Sequence, residues 1–294
     1  MITSVLRLTS GRIAVGLLAF IGFLALFGQL IAPYDPIKGS DLQLAGPSGS
    51  HWLGTDYLGR DVLSRILDGS ALSVGSALLV AAIALLVGAL PGILSVYLGP
   101  VFEWLSLRVV DTLIALPFLV FAVALTTLLG NGVLQAMFAV GLLVAPVFYR
   151  VARSATLSVA RSQYVEAAII SGASTGWIVR KHVWAKILPP VAISVAHTVG
   201  TGLVVIASLT FLNIGVKPPA PTWGGILASD LGYLGFKPYA PVFPIVLILV
   251  AVLACQLLAD AIRDVAGESG RALLSGRDAD KDRSERRTPA SVES

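Results

Sequence analysis

Gly172-Ala173-Ser174-Thr175-Gly176 has the spacing of a nucleophile elbow, in which a serine on a sharp turn attacks an acyl carbon. That chemistry needs a strand ahead of the serine and an acid and a histidine around it. No strand pattern precedes Ser174, and a helix beginning near Thr175 would be capped by this serine, so helix capping explains it without catalysis. His51, His182 and His197 fall in three separate regions and no HExxH occurs, which leaves a zinc site unsupported. Gly-Lys never occurs, so there is no GxxxxGK[ST] cradle for the phosphates of a nucleotide. The single cysteine, Cys255, lies in an apolar run; it excludes a disulfide within the chain and reads as helix packing. These residues predict no catalytic, cofactor-binding or metal site in this chain, and energy for any work must enter through a partner.

The elements that position these residues are those of an all-α integral membrane protein. Of 294 residues 56% are hydrophobic and only 13% charged, against roughly a quarter charged in soluble domains. Apolar stretches near the length needed to cross a bilayer occur at about 13–32, 73–98, 105–129, 133–149, 190–214 and 241–262, which predicts six transmembrane helices. The basic start with Arg7 and Arg12 resembles a signal peptide, but its apolar run is long and lacks a clear cleavage site, so an uncleaved first helix is expected. With that end cytoplasmic, only Lys38, Arg60, Arg65, Lys217 and Lys237 of the 21 basic residues fall outside. The positive-inside rule thus predicts both termini in the cytoplasm. The net charge of +4 is read through this placement, with lipid as the partner and no nucleic acid. Residues 267–294 mix both charge signs with Ser, Thr and Pro, and are expected to form a disordered charged cytoplasmic tail. Asp111, inside the third span, is expected to snorkel, to pair with Arg108 or to line a pathway, because ionised groups avoid lipid. Gly88 and Gly92 form a GxxxG that allows close helix approach, although Pro91 between them also suits a kink.

The most specific signal lies between the fourth and fifth spans, in YVEAAIISGASTGWIVRKHVWAKILPP from Tyr164 to Pro190. It predicts a helix from Glu166, a left-handed terminus at Gly172, a second helix capped by Ser174, and Pro189 and Pro190 in the first turn of the next span. Glu166, Ala167, Ala168, Gly172, Leu188 and Pro189 resemble the EAA motif of ABC-importer permeases. The resemblance implies that this cytoplasmic loop, 155–188, is the coupling element that docks on an ATPase subunit, with Ala173 and Ser174 completing the turn. It also implies the six-helix transmembrane domain of a type I ABC importer.

Two further segments narrow the resemblance. HWLGTDYLGRDVLSR, from His51 to Arg65, reads as an amphipathic surface helix from Asp56 onward, with Asp56/Arg60 and Asp61/Arg65 as i,i+4 pairs contributing about 0.2–0.5 kcal/mol each. The same string, through His51, Gly54, Thr55, Asp56, Gly59, Arg60, Asp61 and Arg65, is similar to the opening segment of the C-type permeases for dipeptides, oligopeptides and nickel. ASLTFLNIGVKPPAPTWGGIL, Ala207 to Leu227, is similar to the segment after their fifth span, and its Pro218, Pro219, Pro221, Gly224 and Gly225 oppose a continuous helix. Asp111 and Pro117 match an Asp and a Pro frequent in that family. Ile206, Asn213 and Phe148 depart from the usual Glu, Gly and Trp. The division expected is 1–72 for the first helix and an extracytoplasmic loop, 73–266 for the permease domain, and the tail.

The resemblance implies a subunit of the bacterial inner membrane that pairs with a homologous B-type permease. Two cytoplasmic ABC ATPases would carry ATP and Mg, and an extracytoplasmic solute-binding protein would deliver a peptide or a nickel chelate. A secondary transporter driven by an ion gradient is the alternative; it needs charged or broken helices around a midplane site, for which Asp111 is the one hint.

Overall fold

The computed structural model describes residues 2–178 and 183–285. Their helices, in order, are α1 (Ile2–Val5), α2 (Thr9–Ile31), α3 (Val62–Leu94), α4 (Pro100–Ala115), α5 (Phe118–Leu128), α6 (Val133–Ala160), α7 (Gln163–Ile170), α8 (Thr175–Ile178), α9 (Trp184–Phe211), α10 (Trp223–Leu231) and α11 (Val242–Glu285). Among the described residues five helices are long and apolar enough to cross a membrane, and α4 with α5 supplies a sixth as a broken span. That span was expected to be one helix over 105–129. It bends instead by 103° between Ala115 and Phe118. Pro117 disfavours helical geometry in the residue before it, and Leu116 is extended at φ −77°, ψ 141°.

The centre of the bundle is α3, which packs on α2, α6 and α9. Its inward face is built from small residues, including Ser73, Ala77, Ala81, Ala84, Gly88 and Gly92. A Cβ on Gly88 would stand 2.1 Å from the Ala145 carbonyl oxygen, and one on Gly92 would stand 2.6 Å from that of Tyr149. The GxxxG therefore brings α3 against α6 of the same chain, backbone to backbone. Large apolar side chains point outward, among them Leu26, Leu30, Val101 and Leu128. In water such a surface would drive association, whereas in lipid it is the solvated face.

Two further expectations change. The amphipathic helix and the second span are one helix: α3 starts at Val62 and runs through residue 72 unbroken. Pro189 and Pro190 lie inside α9, which begins at Trp184. Prolines are tolerated within membrane helices because neighbours and local adjustment satisfy the freed carbonyls. Helix α11 runs to Glu285. His182 and residues 286–294 lie outside the described residues.

Since α3 and α6 run in one direction and α9 in the opposite one, the bundle has a loop end, holding residues 32–61 and α10, and a turn end, holding α7 and α8.

Candidate functional site

At the turn end, α7 begins where the Ser162 carbonyl accepts the amides of Val165 (3.0 Å) and Glu166 (3.1 Å). Glu166 sits in the first turn, where a carboxylate complements the helix dipole. Val165 is buried in a cluster with Ala89 and Ile93 of α3, Val159 of α6, and Val183 and Ile187 at the start of α9, which anchors the inner side of α7 to the bundle. Termination is local. Gly172 has φ +82°, and the Ala173 amide donates to the Ala168 carbonyl at 3.0 Å. This is the 6→1 bond of a Schellman motif with Gly172 at C′. The Ser174 hydroxyl then accepts the Trp177 amide at 3.4 Å, capping α8 as expected. Serine at that position is committed to the backbone, which removes the elbow reading. Glu166, Ile170, Gly172, Ser174, Gly176 and Trp177 are exposed, Ile170 at 82%. A large aliphatic side chain thus stands exposed at the end of α7, beside the turn.

At the loop end, the residues singled out between His51 and Arg65 come together as a buried unit. Asp61 caps α3: its Oδ2 accepts the Ser64 amide (2.8 Å) and hydroxyl (2.7 Å). Its Oδ1 lies 2.9 Å from His51 Nδ1. Asp56 Oδ1 accepts the amides of Leu58 and Arg60, both at 2.9 Å, and Oδ2 accepts from Arg60 Nε at 2.7 Å. Arg65 pairs with Asp56 at 3.5 Å, and not with Asp61. The expected i,i+4 pair of Asp56 and Arg60 therefore exists, but in a tight loop and buried, where an exposed helix was predicted. Two glycines make the loop possible. Gly54 (φ +75°) and Gly59 (φ +74°) take conformations that L side chains rarely adopt, and a Cβ on Gly59 would meet the Ser40 carbonyl oxygen at 2.0 Å. Thr55 accepts the Ala45 amide at 3.0 Å through its hydroxyl.

Lys237 joins this unit from 182 residues away, donating from Nζ to the Thr55 carbonyl at 2.5 Å. Burial lowers the pKa of Lys237. Asp230 of α10 is buried as well, and burial first, then the charge of Asp56, raises its pKa to about 6 against the pull of Lys237 and Arg65. Neither residue stands out in sequence; the one signal is an ionisable side chain in an otherwise apolar stretch.

Between the two ends, Asp111 pairs with Arg150 of α6 at 2.9 Å, both more than half exposed. Arg108, the partner expected for it, lies instead over the Trp104 ring, 5.7 Å from its centroid. Pro117 is the residue at the α4–α5 break. On α9, Ser194, His197, Thr201, Val204, Ser208 and Phe211 recur every three or four residues along one open face. The His197 ring nitrogen Nδ1 donates to Gln256 Oε1 of α11 at 3.0 Å. Thr201 and Ser208 donate to carbonyls four residues back, at 3.1 and 2.8 Å. At the loop end this face borders a cavity of about 330 Å³ between Val204, Ser208, Phe211, Leu227 of α10 and Ile248 of α11. Sequence reading missed this stripe because four polar residues do not alter an apolar average.

Residues 84–267 match the family described as the binding-protein-dependent transport system inner membrane component, and the chain belongs to that family. Glutathione transport system permease protein GsiD of Escherichia coli O1:K1 / APEC is 35% identical over 242 residues, covering 82% of this chain and 80% of the relative. Probable D,D-dipeptide transport system permease protein DdpC of Escherichia coli K12 is 34% identical over 264 residues, covering 89% and 87%. The fold is that of the membrane subunit in an inward-facing structure of the MetNI methionine ABC transporter, with TM-score 0.55 and 21% identity over 69% of this chain and 96% of that one. The chain is thus an inner-membrane permease subunit of the type I ABC-importer fold. Membership implies a partner permease, an ATPase and a binding protein in general terms.

Proposed function

We propose that this permease forms half of a translocation pathway for short peptides, with a homologous B-type subunit forming the other half. In this reading the α7–α8 turn docks on a cytoplasmic ABC ATPase, two of which carry ATP and Mg, and the loop end faces an extracytoplasmic binding protein. Both termini then lie in the cytoplasm. The observation that carries the reading is α9. This 28-residue helix starts beside the turn and carries the polar stripe, and at 1.5 Å per residue it is about 42 Å long, enough to cross the bilayer. Displacement of the turn by a closing ATPase would move the stripe as a rigid body.

The stripe suits a pathway because hydroxyl, imidazole and amide groups facing lipid would gain nothing, while facing a water-filled seam they pair with a passing polar solute. Asp111 and Arg150 satisfy the same condition as a pair. Glutathione and a D,D-dipeptide, named for the two relatives, are small peptides with amides and charged ends. A lining without a fixed charge on α9 binds such solutes weakly enough to release them. The role of Glu166, Ala167, Ala168, Gly172, Ala173 and Ser174 is to shape the docking turn.

Docking is tested by placing cysteine at Ile170 in a Cys255→Ala background and attaching a short photocrosslinker in membranes containing the ATPase subunit. A crosslink to the ATPase is expected, and its absence, with crosslinking from α10 instead, would place the ATPase at the wrong end.

A further inference from the structure

Asp230 is 7% exposed on α10, and its Oδ2 has no hydrogen-bond partner among the described residues. A buried carboxylate with a bare oxygen is unfavourable as an anion and acceptable as an acid. We propose that Asp230 is a proton-binding site, and that the proton it takes up holds α10 seated on α3 and α9.

The seat is well defined. The Trp223 amide donates to Ser73 Oγ at 3.0 Å and its indole to the Ile66 carbonyl at 3.2 Å. Ile226 packs on Val62 and Ile66, and a Cβ on Gly224 would stand 2.2 Å from the Ala207 carbonyl oxygen. Leu227 of the same helix lines the cavity at the loop end of the α9 stripe, so α10 forms part of its wall while seated. The charges facing Asp230 come from Asp56 of the loop, Arg65 of α3 and Lys237 of the segment after α10. The adjoining stretches of α9 (199–211) and α11 (242–254) contain no ionisable side chain. The two cations are already engaged, Arg65 with Asp56 and with the Pro36 carbonyl, and Lys237 with the Thr55 carbonyl. Ionised Asp230 therefore adds a second carboxylate beside Asp56, one whose Oδ2 no direct contact among the described residues satisfies.

The direction follows from linkage. Seated, the carboxyl titrates near 6; rehydrated, it returns to its ordinary 3.8. The seated state binds the proton more tightly, so seating is strongest below the lower value and weakens as pH rises through the upper one. Between pH 5 and pH 7 the seating equilibrium changes roughly tenfold.

The test is hydrogen–deuterium exchange of residues 223–231 in the full-length chain, held in lipid nanodiscs with any subunits that co-purify, after correction for intrinsic exchange. Wild type should lose about tenfold protection from pH 5 to pH 7, and Asp230→Asn, which mimics the protonated acid, should stay protected throughout. Lys237→Gln removes the cation that pulls more strongly on Asp230 and should move the transition to higher pH. A wild-type protection factor independent of pH, or an Asp230→Asn profile that follows the wild type, overturns the proposal.

Discussion

Substitution of Gly172 isolates the proposed coupling turn from everything else in the molecule. An added Cβ meets nothing within 4 Å, so steric collision is absent and the whole effect is conformational. At φ +82° an L side chain costs roughly 1–2 kcal/mol, and loss of the Ala173-to-Ala168 bond would add about 1 kcal/mol if the turn rearranged to escape the strain. One to two kcal/mol lowers the population of the docking geometry by roughly 5- to 30-fold. Val165 still anchors α7 and the spans are untouched, so insertion should be normal. Gly172→Ala should therefore reduce solute-stimulated ATPase activity of the assembled transporter several-fold at matched membrane abundance. Gly172→Val should reduce it further through its β-branch, and Gly172→Asn should recover part of it because Asn tolerates the left-handed region. Equal activity for Gly, Ala and Val would refute the argument, as would an Asn variant no better than Ala.

Asp56→Ala leaves Arg60, 4% exposed, without its carboxylate; breaking a buried pair costs about 3–5 kcal/mol, and a large fall in detergent thermal stability and membrane abundance is expected. In a Cys255→Ala background, cysteine at Ser48 should label with an impermeant reagent from outside intact cells and cysteine at Ser158 should not; the opposite pattern would invert the topology. Glu166→Lys reverses the charge at the α7 N-terminus, which is unfavourable by about 0.3–1 kcal/mol each way, and should lower ATPase co-purification without changing insertion.

What sequence made legible depended on the range of the interaction. The spans were readable because about 20 apolar residues in a row have one outcome in a bilayer, and the turn was readable because Gly172 and Ser174 act on residues within five positions. The Asp56–Arg60 spacing was ambiguous: four residues separate partners both in a helix and in a loop tightened by Gly59, and only the second buries them. Pro117 carried the signal for the broken third span, but the apolar run continued past it and masked the break. Asn213, where the family has glycine, proves conservative for a physical reason, since its φ is +58° and Asn tolerates that region. Lys237 and Asp230 were beyond reach because their partners in the loop and α3 are more than 160 residues away along the chain. The roles of the site residues rest on where the fold places them, at opposite ends of one continuous bundle.

The central claim is that hydrolysis on partner subunits drives peptide through a seam lined by α9. The most direct test is uptake of a labelled dipeptide by proteoliposomes containing this chain, its partner permease and the ATPase, with the binding protein outside. Uptake should require ATP within the vesicles, persist when ionophores collapse every ion gradient, and disappear when ATP is replaced by a non-hydrolysable analogue. Uptake that proceeds without ATP and stops on addition of the ionophores would contradict the account.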